Sequence, residues 1–412
     1  MKTQKTNIPS GYKPSPLGII PEDWEVKRLG DLCENKGDYG LNAPATDYSV
    51  DLPTYLRITD IDDNGKFIHS AKKSVNNPTA NEYNLKDGDI VFARTGATVG
   101  KTYLYDVRDG QLVYAGFLIK FSPNPNKLIP YYLKAHTETK DYTNWVAIIS
   151  QRSGQPGINA AEFCSLKLAV PPIKEQERIC NVLQLWDTAI AKQTALIEKL
   201  TLRKRGLMQQ LLTGKKRLKG FGEEWKEVRL GEVFDERNET NCDNLPLLSI
   251  TGDKGVIYQS ESDKRDISNE DKSKYKRICP NDIGYNTMRM WQGRSALSEL
   301  EGIVSPAYTI VTPKKSIDVR FMAMLIQQPR IVYSFWTHSQ GLVSDTLNCK
   351  YPDFCQVKVV IPSKEEQIAI ADFFVEIDKE IEIQKQKLAA MQEQKKGLMQ
   401  VLLTGKKRTS TN

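Results

Sequence analysis

Residues 94–102, RTGATVGKT, combine the residue types of a phosphate-binding loop: closely spaced glycines followed by a lysine and a threonine. Such a loop needs four residues between its first glycine and the Gly-Lys pair, so that successive backbone amides wrap the phosphates. Here Gly96 and Gly100 enclose only three residues, and the aromatic sequence that follows is typical of a strand. We therefore expect a hairpin whose glycines supply positive φ angles, with a nucleotide-binding loop as the alternative.

Other residue patterns that could support catalysis or metal binding are weak. Glu25 and Lys27 reproduce half of a nuclease motif, but such triplets are common. The three histidines lie far apart, and none of the seven cysteines forms a Cys-x-x-Cys pair. We therefore expect no metal site, and reduced thiols in the cytoplasm. Because no apolar run approaches the roughly 18 residues that cross a bilayer, we also expect no membrane contact. The polar residues 1–16 do not resemble a secretory signal.

The basic residues of the chain are clustered. The net charge is only +7, but residues 199–219 contain eight lysines and arginines and no acidic residue, and residues 395–408 contain a second basic group. Clusters of this kind indicate a polyanion or an acidic protein partner. The alternative is a solvated helix face with cations favoured near its C-terminus.

The sequence is an internal repeat. GLMQQLLTGKKR at residues 206–217 recurs as GLMQVLLTGKKR at residues 397–408, with eleven of twelve positions identical. The match extends upstream at the same offset to paired Phe-Cys, Pro, Glu-Gln and Asp residues, and each half opens alike, with WEVKRLGDL from Trp24 and WKEVRLGEV from Trp225. The loop segment diverges instead, so that Arg289 stands where the first copy has Gly96. A phosphate cradle would not vary in this way, whereas loops that contact different targets would.

The shared segments predict two long helices. From Glu175 and from Glu366 apolar residues recur at three-four spacing over about five heptads, after a proline and before Gly214 or Gly405. Each apolar stripe needs a partner, and the other copy is the obvious one. A helix over residues 175–213 would be about 58 Å long, compared with ~34–36 Å for one turn of B-DNA. Two separate surface helices are the alternative.

The predicted fold class is therefore α+β, with two pseudo-symmetric recognition domains joined by two long antiparallel helices that form an intramolecular coiled coil. The boundaries follow from the repeat. We assign residues 1–172 to the first domain, 173–219 to a central spacer helix, 220–362 to the second domain and 363–412 to a C-terminal spacer helix. Two domains on long helices could contact two separated segments of one duplex.

With these features the chain resembles the specificity subunit of type I restriction-modification systems, over nearly its whole length. The resemblance implies two target recognition domains that bind a bipartite, asymmetric double-stranded DNA sequence, and two methyltransferase (M) subunits docked on the spacer helices. It also implies restriction/translocase (R) subunits, with S-adenosylmethionine, ATP and Mg on these partner subunits rather than on this chain. The specificity subunit itself is not an enzyme, and the sequence lacks the Asn/Asp-Pro-Pro-Tyr/Phe motif of adenine methylation. The alternatives are an NTPase or nuclease subunit and a tandem protein-interaction adaptor.

DNA-binding candidates are polar and cationic residues of the divergent loops, since arginine pairs with guanine and glutamine or asparagine with adenine. In the first domain they are Arg94, Thr95, Lys101, Gln151, Arg152, Ser153, Gln155 and Asn159; in the second they are Asn286, Arg289, Trp291, Gln292, Arg294, Ser339 and Gln340. Their alternative role is to cap turns or form surface salt links.

The repeated helix ends supply candidates for docking the methyltransferase, because two identical partners need two equivalent surfaces. These candidates are Arg205, Leu207, Met208, Leu211, Lys215, Leu398, Met399, Leu402 and Lys406.

Overall fold

The computed structural model describes residues 8–252, 254–262, 270–341 and 346–409. The chain forms two compact units: residues 1–193 with 387–412, and residues 194–386. Each unit thus contains one globular domain, about half of the helix that follows it, and about half of the other long helix. The units cut each long helix near its middle, whereas the sequence-based boundaries treat each helix as one segment.

The first unit contains twelve strands and four short helices before its long helix. The strands are β1 (Tyr12–Ser15), β2 (Gly18–Pro21), β3 (Glu25–Arg28), β4 (Asp38–Tyr39), β5 (Thr46–Asp47), β6 (Thr54–Leu56), β7 (Lys73–Ser74), β8 (Ile90–Ala93), β9 (Thr102–Leu104), β10 (Leu112–Tyr114), β11 (Leu118–Phe121) and β12 (Lys167–Val170). The helices are α1 (Leu29–Leu32), α2 (Pro130–His136), α3 (Lys140–Ile149), α4 (Ala160–Cys164) and the long α5 (Ile173–Leu211).

The second domain has a similar succession of elements, with ten strands among its described residues. Its strands are β13 (Lys226–Arg229), β14 (Phe234–Arg237), β15 (Leu248–Ile250), β16 (Val256–Tyr258), β17 (Lys276–Ile278), β18 (Ile283–Asn286), β19 (Ser295–Leu297), β20 (Gly302–Val304), β21 (Tyr308–Pro313) and β22 (Lys358–Ile361). Its helices are α6 (Leu230–Val233), α7 (Val319–Ile326), α8 (Pro329–His338), α9 (Tyr351–Gln356) and the long α10 (Lys364–Leu402).

The two domains share one scaffold. Their four-stranded sheets have the equivalent orders β4-β11-β8-β9 and β14-β21-β18-β19, with antiparallel pairing between neighbours. In both, a short helix after the opening tryptophan lies against the helix that holds the repeated Phe-Cys pair. A Cβ atom at Gly30 would lie 2.9 Å from Cβ of Cys164, and one at Gly231 would lie 2.8 Å from Cβ of Cys355. The repeated glycines are therefore needed for close helix packing, and the predicted pseudo-symmetric α+β fold is confirmed.

Each long helix has 39 residues, the length expected from the sequence, although α5 begins and ends two residues before the predicted 175–213. Both helices end in a left-handed glycine, with φ of 70° at Gly214 and 71° at Gly405. Beyond this glycine, the backbone amides of Lys216 and Lys407 donate to the carbonyls of Gln210 and Val401, at 3.1 and 3.0 Å. These bonds satisfy orphan carbonyls of the last turn, so the repeated Thr-Gly-Lys-Lys sequence stops each helix.

The long helices pack against each other in both units. In the first unit, Lys395 near the end of α10 donates to Asp187 near the start of α5 at 2.7 Å. In the second, Lys204 near the end of α5 donates to Asp378 near the start of α10 at 2.5 Å. In each unit the start of one helix therefore lies beside the end of the other, which confirms the antiparallel pair. None of the residues of the two predicted apolar stripes is exposed. The stripe of α5 contains Ile179, Val182, Trp186, Ala189, Ile190, Ile197, Leu200, Leu207 and Leu211, and that of α10 contains Ile370, Phe373, Ile377, Ile381, Leu388, Met391, Leu398 and Leu402.

Ion pairs between arginines and two buried glutamates join the repeated segments. Glu175 and Glu366, at the helix starts, are 2% and 1% exposed. The guanidinium of Arg217 donates to both carboxylate oxygens of Glu366, at 2.6 and 2.5 Å. Arg408 does the same to Glu175, at 2.9 and 2.7 Å, and also contacts Asp23. These hydrogen bonds raise the pKa of both arginines.

Each unit has its own apolar core that includes the end of the long helix from the other copy. Around Trp24, Phe92 and Phe163 the first core includes Leu402 and Leu403. The second core, around Phe234 and Phe354, contains Leu211 and Leu212 at the equivalent places. Within the described residues, no helix is long and apolar enough to cross a membrane.

Replacing Arg217 with Met should destabilise the second unit by about 3 kcal/mol, because Glu366 is left buried without its counter-charge. Lys216→Met is the matched control, since it removes the adjacent charge from an exposed position. Urea unfolding measures the difference. The variant Arg217→Met/Glu366→Gln should recover part of the loss, and equal unfolding midpoints for Arg217→Met and Lys216→Met would contradict a stabilising role for this ion pair.

Candidate nucleic-acid interface

Residues 94–101 form the loop of a β-hairpin. Strands β8 and β9 pair antiparallel, with Phe92 opposite Thr102, and the chain continues into β9 rather than into a helix. Gly96 and Gly100 have φ angles of 76° and 84°, a region that glycine enters without strain. The expected hairpin is therefore confirmed.

Backbone hydrogen bonds join this loop to the second candidate segment, residues 150–159. The amide of Ile158 donates to the carbonyl of Arg94 at 2.8 Å, and the amide of Gly96 donates to that of Pro156 at 3.1 Å. Thr95 and Gly157 form an isolated antiparallel bridge. The structure thus brings together two segments that lie some sixty residues apart in the sequence, and all first-domain candidates belong to them.

Within this site the two cations of the hairpin loop have different surroundings. The Arg94 guanidinium lies 5.2 Å from the ring centroid of Tyr39 and 5.9 Å from that of Phe117, and its Nε donates to the carbonyl of Gly116 at 3.0 Å. Lys101 instead forms a salt bridge of 2.8 Å with Asp63. Such a surface pair contributes little to stability and opens readily for a phosphate. No local sequence pattern indicates Tyr39 and Phe117, because Tyr39 comes from β4 and Phe117 from the turn before β11.

Two first-domain candidates, Arg152 and Asn159, also have structural roles, and their contact with bases stays a prediction. Both Arg152 terminal nitrogens are engaged. Nη2 donates to both Glu162 carboxylate oxygens at 2.6 and 2.7 Å, and Nη1 to backbone carbonyls. The side chain of Asn159 caps α4 by accepting from the amide of Glu162 at 2.9 Å. Gln151, Ser153 and Gln155 are exposed and remain predictions, as do Thr95 and Lys101.

The second domain builds its loop at the equivalent place, residues 287–294, between β18 and β19. The backbone of Thr287 repeats the bonds of Arg94: its amide donates to the carbonyl of Ala307 at 3.1 Å, and its carbonyl accepts from Cys349 at 2.9 Å. In the first domain Arg94 pairs in this way with Phe117 and Ile158. Thr287 and Ala307 are therefore the structural counterparts of Arg94 and Phe117.

A cavity of about 450 Å³ opens beside this second loop. The predicted residues Asn286, Arg289 and Arg294 line it together with residues that the sequence analysis missed, namely Ile250, Thr251, Gly252, Lys254, Ile257, Ser262 and Tyr308. Three of these described lining residues are cationic, namely Lys254, Arg289 and Arg294. A Cβ atom at Gly252 would lie 2.2 Å from Nη1 of Arg294, so a larger residue there would displace the end of this side chain.

The remaining second-domain candidates differ in what their side chains contact. The Ser339 hydroxyl donates to the carbonyl of Phe335 at 2.7 Å, and the Gln340 amide donates to Asp353 at 2.9 Å. Both side chains thus stabilise the turn after α8, and their contact with bases stays a prediction. Half-buried Trp291 donates from its indole to the carbonyl of Met288 at 3.0 Å. Gln292 is exposed, and it stays a prediction.

Several of the proposed docking residues lie inside the chain's own cores, which corrects that assignment. Leu211, Met399 and Leu402 are only 1%, 5% and 3% exposed. Leu207, Met208 and Leu398 are half-buried against the same cores. Only the cations of this set, Arg205, Lys215 and Lys406, are exposed. Packing within the chain therefore accounts for the repeated apolar residues of the helix ends, and the exposed cations remain candidates for docking.

Comparison with known proteins gives one consistent family. The model of the type I restriction modification DNA specificity domain matches residues 21–202 and again residues 222–393. A putative type I restriction enzyme MjaX specificity subunit from Methanocaldococcus jannaschii is 27% identical, over 97% of each chain. The MjaVIII specificity subunit of the same organism is 24% identical, over 94% of this chain and 93% of its own.

Solved structures share the fold. A chain from a study of complex assembly and conformational transition of the type I R-M system aligns with a TM-score of 0.58 and 17% identity, over 94% of this chain and 99% of that one. The type I restriction-modification S subunit from M. genitalium aligns with a TM-score of 0.52 and 14% identity, over 94% of this chain and 97% of its own.

Replacing Asn159 with Ala should lower stability by about 1 kcal/mol through loss of the α4 cap. The exposed neighbour Gln155 is the control, since Gln155→Ala removes no side-chain hydrogen bond among the described residues and should leave the unfolding midpoint unchanged. Thermal unfolding of both variants provides the measurement. Should Asn159→Ala keep full stability and lose DNA affinity, the capping role would be wrong and direct base contact would be favoured.

Proposed function

The chain belongs to the type I restriction modification DNA specificity family, and from this membership we propose that its two domains bind the two different halves of a gapped, asymmetric DNA target. It is a DNA-recognition subunit rather than an enzyme, and its partners are DNA and the other subunits of a type I restriction-modification system. The alternative of a nucleotide-binding loop at residues 94–102 has no support, because these residues form a hairpin.

The observation that carries this proposal is the contrast between a shared scaffold and unlike loops. Both hairpin loops span eight residues between equivalent strands, 94–101 and 287–294. The first presents a stacked Arg94 and a paired Lys101, whereas the second presents Arg289 and Arg294 beside an open cavity. Since base edges are distinguished by the donors and acceptors that face them, unlike loops select unlike sequences.

The second loop has the chemistry for both kinds of DNA contact. Arginine pairs through two hydrogen bonds with guanine O6 and N7, and asparagine with adenine N6 and N7. Arg289 and Asn286 both line the cavity, so a guanine and an adenine are the bases that this loop favours. Arg294 also lines the cavity and can pair with guanine in the same way. Lys254 adds positive charge suited to the DNA backbone, which fixes the protein's position without selecting sequence.

Two equivalent basic surfaces support docking of two methyltransferase subunits. Lys215 and Lys216 follow the end of α5, Lys406 and Lys407 follow the end of α10, and all four are exposed. Because the repeat places the same charges on both units, a single acidic partner surface can bind twice. The methyltransferase would bind S-adenosylmethionine, and restriction/translocase subunits would bind ATP and Mg; this chain supplies the choice of sequence.

Co-expression of the chain with its methyltransferase in a host that lacks adenine methylation should produce one gapped, asymmetric motif, since each domain contributes one half. Modification-sensitive genome sequencing measures it. Expression of the methyltransferase alone is the control and should produce no motif. A single uninterrupted short motif would contradict the two-domain assignment.

Replacing Arg289 or Arg294 with Ala should relax the second half of that motif alone, by roughly 1–3 kcal/mol for each lost bidentate contact. Lys274→Ala removes an exposed cation from the same domain outside the cavity lining and should leave the motif unchanged. The same sequencing experiment compares the three variants. Equal relaxation of both halves would show that these residues do not belong to one half-site.

A further inference from the structure

We propose that Arg94, clamped between the rings of Tyr39 and Phe117, contacts a guanine in the half-site bound by the first domain. This inference rests on the proposed function and deepens it by naming one base and the residues that select it. We call Tyr39, Arg94 and Phe117 the arginine clamp. Two of its three members, the aromatic ones, were not among the candidates from the sequence.

The clamp is held in place before any ligand arrives. The Arg94 backbone is fixed at both ends, since its amide donates to Phe117 and its carbonyl accepts from Ile158. The Tyr39 hydroxyl accepts a hydrogen bond of 3.2 Å from the amide of Ala160, which fixes the ring at the start of α4. The guanidinium therefore lies against two rings, and the Tyr39 ring is fixed by its own hydrogen bond, so little side-chain freedom is lost on binding.

The free edge of the guanidinium matches a base with two acceptors. Nε is used by the carbonyl of Gly116, while Nη1 and Nη2 form no hydrogen bond or ion pair with any residue that the structure describes. A planar pair of donors is complementary to two acceptors in one plane, and guanine is the base that presents them, as O6 and N7 in the major groove.

The flanking rings favour a base edge over a phosphate. Tyr39 and Phe117 are 45% and 54% exposed, so an approaching ligand must cover apolar ring surface together with the guanidinium. Neighbouring bases, and the thymine methyl group in particular, provide apolar contact for such rings. A hydrated phosphate gives them nothing in return. Aromatic surface on both sides of a cation thus indicates sequence-specific contact.

The shared scaffold does not need the clamp. In the second domain the counterparts Thr287 and Ala307 make the same backbone hydrogen bonds, at 3.1 Å between them and 2.9 Å to Cys349. The hairpin therefore forms equally with a small polar residue and an alanine at these places. A cation and an exposed aromatic ring that the fold can omit are explained by what the first domain binds.

This equivalence supplies variants that should fold. Arg94→Thr and Phe117→Ala introduce the residues found at the matching positions of the second domain. In the complex with methyltransferase, Arg94→Thr should lose roughly 5- to 140-fold discrimination at one G·C position of the first half-site. Phe117→Ala should lose less at the same position, and the second half-site should keep its sequence in both. Lys86→Ala, which removes an exposed cation before β8 and away from the candidate segments, is the control for loss of an uninvolved side chain.

A second measurement separates base contact from phosphate contact. Duplexes with 7-deazaguanine at the affected position lack the N7 acceptor, so the unmodified protein should bind them several-fold more weakly, whereas Arg94→Thr should not distinguish them from normal DNA. Uniform weakening of Arg94→Thr on all sequences, with no effect of 7-deazaguanine, would overturn the proposal in favour of a phosphate contact. Unchanged discrimination would overturn it as well. Failure of the unmodified chain to direct any gapped motif would instead refute the proposed function.

Discussion

The architecture depends on two buried carboxylates whose counter-charges come from a distant part of the chain. Glu175 and Glu366 each lie at the start of a long helix, almost fully enclosed, where an isolated charge would be severely destabilising. Arg408 and Arg217, beyond the ends of the opposite helices, supply the counter-charge. Each unit therefore needs the arginine that follows the long helix of the other repeat. Charge balance, as well as apolar packing, requires α5 and α10 to pair antiparallel.

The residue after each buried glutamate joins helix to domain. The Gln176 side chain accepts from the amide of Ile129 and donates to the carbonyl of Pro171, and Gln367 makes equivalent bonds with Asp318 and Pro362. In each Glu-Gln dipeptide, the glutamate binds an arginine beyond the end of the other long helix, and the glutamine binds backbone groups of its own domain. These two roles explain why the dipeptide is repeated while the loops diverge. The Gly-Lys-Lys-Arg segment is repeated with it because its arginine binds the glutamate.

The sequence predicted those parts of the fold that depend on periodicity and repetition. Helix length, helix pairing and the hairpin at residues 94–101 followed from spacing alone. The site was predicted less completely, since polar residue type does not reveal what a side chain contacts. Arg152 and Asn159 are engaged by Glu162, three residues beyond the candidate segment. Tyr39 comes from a strand distant in sequence, and Lys254 from the turn between β15 and β16, so no local pattern could indicate either residue. Identity between helix ends suggested a partner, because repetition looks the same whether its cause is an external or an internal contact.

The division between fixed and variable parts has a physical basis in how the loops are anchored. Arg94 and Thr287 have unlike side chains, but their amides and carbonyls form the same bonds to the neighbouring strand turn and to the segment before the next short helix. Backbone groups are present whatever the residue type, so these bonds place constraints on position and few on identity. A loop held in this way can exchange an arginine for a threonine, or a glycine for Arg289, with little effect on the strands below. Specificity can therefore change while the ion pairs that assemble the two units remain untouched.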